Sequence, residues 1–125
     1  MEIANHECYV SFEVAKLLKK AGFDLDTYSA YNKDGMFTDK NRSILTWNDF
    51  ANYYSAPTLD VAQRWLREKL DLIVTIDYNY HKGVFLCKVY NKAECLSILF
   101  DCPVYEEAQE AGIKKALEMI LEKGE

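Results

Sequence analysis

The stretch from Pro57 to Leu121 does most to limit what this chain can become: a helix pattern, three strand patterns and a second helix pattern follow with almost no sequence between them. Thr58, after Pro57, is a helix-capping residue, and Leu59, Ala62, Trp65, Leu66 and Leu70 recur at the spacing of one helical face. Arg64, Arg67 and Glu68 fall mostly away from that face and are expected in solvent. From Leu72 the period changes to two: Leu72, Val74, Ile76, Tyr78 and Tyr80 alternate with Thr75, Asp77 and Asn79, the pattern of a strand with one buried face. His81-Lys82-Gly83 reads as a turn into a strand from Val84 to Tyr90, and Asn91 to Glu94 lead to a third strand from Cys95 to Phe100. Connections this short make the strands antiparallel. The last helix is predicted from about Tyr105 to Glu122, with Tyr105, Ala108, Gly112, Ala116 and Ile120 on one line and Ile113, Leu117 and Leu121 beside it. Its small residues let it lie close to a sheet, and Glu110 and Lys114 stand at i,i+4.

The expectation is an α+β fold with a three-stranded or larger antiparallel sheet packed against helices, in which residues 57–122 form an α-β-β-β-α core. The 125 residues fit one domain, 1–125. An apolar half, nine Tyr, six Phe and two Trp exclude disorder, and five Gly with two Pro argue against a loop-dominated fold.

Upstream, residues 1–10 read as an N-terminal tail. A helix follows over 11–22, with Ser11 as its cap, Val14, Leu17, Leu18 and Ala21 as its apolar stripe, and Gly22 placed to end it in a left-handed turn. Lys16, Lys19 and Lys20 share the other side, a solvated face near the carboxyl end where positive charge suits the helix dipole. Residues 24–54 are irregular or hairpin-containing. Tyr28 to Asn32 and Met36 to Thr38 flank the turn Lys33-Asp34-Gly35, 39–43 form a polar loop, Ile44 to Trp47 suggest a strand, and Phe50, Tyr53 and Tyr54 suggest a short helix.

Three segments carry a resemblance: Tyr9 to Leu18 with Ala21-Gly22-Phe23; Ala56-Pro57-Thr58 through Ala62 to Glu68; and Tyr105 to Ala108 with Glu110-Ala111-Gly112 and Ala116-Leu117. In this order they cover about a third of the chain, and they resemble a family of small uncharacterised proteins encoded by phages and prophages of gut Bacteroidales. The resemblance implies a phage or prophage origin and assigns no activity to any residue. Val104 stands where that family carries a Ser or Thr helix cap.

The chemistry legible in the residues is sparse. The start of the chain has no basic segment followed by an apolar run, and no window is apolar enough to span a bilayer, so the expected location is cytoplasmic, without membrane contact. Cys8, Cys87, Cys95 and Cys102 show no CxxC pairing. Three of them fall in or beside strands, where Cys commonly packs as a small apolar residue. A zinc site would have to be assembled by folding from His6, Cys8, His81, Cys95 and Cys102, without the closely spaced ligand pairs such sites normally have. No cofactor is expected. With His6 in the tail and His81 in a turn as the only histidines, no nucleophile has an evident base, and the adjacent Glu106 and Glu107 point in different directions on a helix, so the chain reads as a non-enzyme. A small enzyme with an unrecognised site is the weakest alternative.

The net charge of −5 is concentrated late: residues 1–70 carry 9 basic and 10 acidic side chains, residues 71–125 carry 6 and 10. A field of that sign repels phosphates. The order of elements in 57–122 matches double-stranded-RNA-binding domains, and this is the alternative function, yet the last helix opens with Glu106, Glu107 and Glu110 where such a domain needs lysines. A helix-turn-helix reading of Ser11 to Ala21 lacks a recognition helix after Gly22. The expected function is therefore non-catalytic protein binding, to an unidentified host or phage protein or to a second copy of the chain. Tyrosines in this number, with Trp47 and Trp65, suit an interface. Trp47, Tyr53, Arg64 and Arg67 are the candidate contact residues, since arginine and aromatic side chains anchor interfaces.

Overall fold

The computed structural model describes residues 8–38 and 47–123. Residues 1–7, with His6, residues 39–46, with the expected polar loop and most of the expected Ile44–Trp47 strand, and residues 124–125 lie outside the described residues. The fold is α+β, with three helices and two three-stranded antiparallel sheets in the order α-β-β-β-α-β-β-β-α.

Helix α1 (Phe12–Lys20) begins where Ser11 Oγ accepts from the Val14 amide, and the chain leaves it through Gly22 at φ +91°. Strands β1 (Ala30–Asn32) and β2 (Phe37–Thr38) form the expected hairpin around Gly35, and Asn32 Oδ1 closes the turn by accepting from the Asp34 and Met36 amides. Strand β3 (Tyr53–Ser55) completes the first sheet, in the order β2-β1-β3. This corrects the short helix expected over Phe50 to Tyr54. Tyr53 and Tyr54 occupy opposite faces of a strand, and Tyr54 packs edge-on against Phe12 of α1. Trp47 is likewise not in a strand: it opens a 3-10 turn, Trp47–Asp49, which lies on β3.

Residues 8–10 are not tail. Tyr9 bridges Thr58, Leu59 N donates to Cys8 O, Val10 N donates to Pro57 O, and Val10 is fully buried. The backbone groups of this segment are satisfied by the approach to helix α2 (Leu59–Leu70), which ties the start of the described chain into the core. Thr58 caps α2 by accepting from the Val61 amide. Leu59, Ala62, Trp65 and Leu66 are buried as the periodicity predicts, with the Trp65 ring against Phe23 at 5.3 Å.

The second sheet is the meander β4 (Ile73–Asn79), β5 (Val84–Tyr90) and β6 (Cys95–Cys102), ordered β4-β5-β6. Helix α3 (Tyr105–Lys123) runs back across it and also packs on α1 and α2. One core joins the two halves: Val14 and Leu18 of α1, Leu66 of α2, Val74 and Val89 of the sheet, and Ile113, Ala116 and Leu117 of α3. The expected buried line of β4 stops short. Val74 is buried and Ile76 half-buried, but Tyr78 near the far end of the strand and Tyr80 in the turn beyond it are 56% and 76% exposed.

Candidate functional site: the uncovered face of the second sheet

Strand periodicity divides the second sheet into two faces with different fates. Val74 and Ile76 of β4, Cys87 and Val89 of β5 and Leu99 of β6 are paired across the sheet and face α3. Contact there is so close that a Cβ placed on Gly112 of α3 would sit 2.6 Å from Val74 Cγ1 and 3.1 Å from Cys87 Sγ. Cys87 is fully enclosed, and its thiol is pushed up to about 11, chiefly by burial and further by Cys102 nearby. It is an inert packing residue, whereas Cys95 is exposed and Cys8 and Cys102 are half-buried, so the expectation of buried strand cysteines holds for Cys87 alone.

The opposite face is set by the same registers. Thr75, Lys88 and Ile98 form one row across the three strands. Asp77 and Leu86 form the next, with Phe100 beside them where β6 bulges. Ile73, Val84 and Tyr90 extend it. Because α2 and α3 share the core with Val74 and Val89, both lie on the other side, and no further described element packs against this sheet. Ile98 and Phe100 are accordingly 42% and 65% exposed. The face is mainly apolar, and on β4 and β5 Lys88 stands diagonally across from Asp77.

Both edges of the sheet carry features that hinder the addition of a strand. Gln63 of α2 donates to Val74 O at 2.7 Å, which occupies the rim of β4. Strand β6 carries two register irregularities and Asp101 at φ +61°, distortions that spoil an edge for strand addition. On the opposite face, which α3 covers, the Tyr78, Phe85 and Tyr105 rings meet in series at 5.0 and 5.7 Å, and the Tyr80 ring lies 4.1 Å from His81.

The four candidate contact residues read from the sequence do not form one constellation. Trp47 and Tyr53 do meet, with ring centroids 5.1 Å apart, and Lys19 ties this corner to α1 by donating to the carbonyls of Phe50 and Tyr53 at 2.8 and 2.9 Å. The Trp47 indole is engaged inwards, donating to Thr27 O at 2.9 Å. Arg64 and Arg67 stand exposed on α2, and among the described residues neither has a salt bridge or hydrogen bond to this corner. Missing from the sequence reading were Leu86, Lys88, Ile98 and Phe100. Their signal was present: β5 and β6 are apolar at both odd and even positions, too much for a sheet with helices on one side.

A cavity of about 390 Å³ lies where the amino ends of α2 and α3 converge, lined by Cys8, Thr58, Asp60, Tyr105, Glu106 and Gln109. Gln109 is 2% exposed and its amide bridges Asp60 Oδ1 and Gln63 Oε1 at 2.7 and 2.8 Å, a polar strut between the helices. Among the described residues no group of three His, Cys, Asp or Glu side chains could hold a metal ion, and no helix is long and apolar enough to cross a membrane. Compared with protein-family models, with curated proteins and with solved structures, the chain matches none.

Proposed function

We propose that this protein is a non-catalytic protein-interaction module, of phage or prophage origin and acting in the cytoplasm, whose binding surface is the uncovered face of β4, β5 and β6. The observation that carries the reading is the asymmetry of one sheet: both faces are apolar, one is sealed by α3, and the other leaves Ile98 and Phe100 in water. An apolar patch of that kind, rimmed by polar side chains, is the usual mark of a docking site. Trp47 with Tyr53, and Arg64 with Arg67 on α2, are two separate further candidate contact sites.

The nucleic-acid alternative keeps its support from the order α2-β4-β5-β6-α3, but exposed Glu106 and Glu107 at the start of α3 oppose phosphate. The test is a nuclease-controlled capture from a Bacteroidales lysate with the tagged protein, its Phe100→Glu variant and its Arg64→Ala/Arg67→Ala variant. A stoichiometric protein retained by the parent and lost with Phe100→Glu supports the reading. Loss only with the arginine variant moves the site to α2. Recovery of nucleic acid that falls away with salt replaces the proposal with its alternative.

A further inference from the structure

We propose that the occupant of this face is a second copy of the same chain, packed sheet on sheet about a two-fold axis that crosses the strands between the Thr75-Lys88-Ile98 row and the Asp77-Leu86-Phe100 row. The inference rests on the reading of that face as a docking surface and adds the identity of what docks.

Charge complementarity selects the partner and the axis. Across β4 and β5 the face holds one cation and one anion, Lys88 on the central strand and Asp77 on its neighbour, displaced by two residues along the strands. Such a pattern is self-complementary under one operation. A two-fold axis across the strands lays β5 on β5 and exchanges the two rows, so Lys88 comes within one strand spacing, about 4.8 Å laterally, of Asp77 of the partner subunit. The same operation sets Ile98 over the partner's Phe100, the two most exposed apolar side chains of the face, and does so twice. An axis along the strands would put Asp77 over Phe100 and bury an unpaired carboxylate.

Area points to a weak dimer. Seven-residue strands rise about 23 Å and three of them span about 14 Å, so with side-chain relief the two faces together bury about 1,000 Å². That is the lower limit for a specific interface, so the dimer is expected to be weak. The sheets stack about 10 Å apart, as in a sandwich.

The test is sedimentation equilibrium of the purified full chain from micromolar to millimolar concentration, with circular dichroism to verify that each variant is folded. The parent is expected to pass from monomer to dimer, with the midpoint raised at least tenfold by Phe100→Glu or Lys88→Asp. The double change Lys88→Asp/Asp77→Lys restores the charge pair in reverse and is expected to recover most of the association. Met36→Glu, at the exposed turn of the β1-β2 hairpin in the other sheet, is expected to leave it unchanged. A monomer at every concentration overturns the proposal, and so does a dimer indifferent to Phe100→Glu or one that the charge reversal does not rescue. If the parent stays monomeric while Phe100→Glu abolishes capture of another protein, the face remains a binding surface and only its occupant was wrongly assigned.

Discussion

Replacing Gly112 by alanine tests how α3 is seated on the sheet. The new methyl would lie 2.6 Å from Val74 Cγ1 and 3.1 Å from Cys87 Sγ, against about 3.5–4.0 Å for an ordinary contact between carbons. The helix must back away by about 1 Å, or Val74 must leave its rotamer in a strand paired to Val89. Overpacking of this kind costs about 1–3 kcal/mol, and the enclosed setting of Cys87 and Val74 puts the cost near the upper end. Alanine recovers about 1 kcal/mol of helix propensity. The expected net loss is about 2 kcal/mol, or roughly 6–10 °C in Tm for a domain of this size. Urea unfolding with a shared m-value measures it. Val74→Ala alone should cost about 2 kcal/mol through its lost methyls, but in the Gly112→Ala background it also makes room, so the double variant should be less damaged than the sum by about 1–2 kcal/mol. Additivity within about 0.5 kcal/mol, or a Gly112→Ala protein more stable than its parent, would refute the close approach of α3 to β4 and β5.

Two further outcomes follow from how α1 is held. Ser11 N donates to Glu110 Oε1 at 2.7 Å, so a carboxylate on α3 supplies the bond that a glutamate at position 14 of a capping box would make, and Val14 stands there instead. Glu110→Ala should cost about 2 kcal/mol in chemical denaturation and Glu110→Gln about half of that, with exposed Glu107→Ala near zero; equal effects at 107 and 110 would discard the cross-helix cap. Glu13 and Lys114 form a pair at 2.9 Å that lowers the Glu13 carboxyl below its ordinary 4.5, mainly through the hydrogen bond, and raises Lys114 above its ordinary 10.5 for the same reason. A lowered carboxylate stabilises the fold above its unfolded value and loses that as pH falls through the folded one; a raised ammonium stabilises below its unfolded value and loses that as pH rises through the folded one. The gap in unfolding free energy between the parent and Glu13→Gln should be flat near neutrality and close in acid and in strong alkali, and a gap that widens in acid would contradict the pairing.

Where the sequence reading held, the signals were local. Ser11 and Thr58 cap helices because their hydroxyls reach amides three residues on, and Gly35 turns a hairpin because it tolerates a positive φ of +84°. Where it failed, neighbours outweighed local preference. Tyr53 and Tyr54 have helical spacing with Phe50, yet they pair with Asn32 and Tyr31 because β1 offers a ladder and Phe12 a ring to pack on. Gln109 looks like a surface residue and is 2% exposed, because Asp60 and Gln63 satisfy its amide. Lys19 was expected in solvent and instead holds two carbonyls from the β3 approach.

The sequence by itself determined the three helices, the meander β4-β5-β6, the β1-β2 hairpin and the α+β class, since period and capping act within a few residues and need no partner to be read. Only the tertiary structure decided which side of the second sheet is sealed. Val84 to Tyr90 and Cys95 to Phe100 are apolar in both parities, so periodicity offers two equivalent faces, and the choice falls to α3, whose Gly112 can approach Val74 and Cys87 on one side only. Burial is a property of what packs against a surface, and that is why Ile98 and Phe100 became legible as a candidate site once the position of α3 was known.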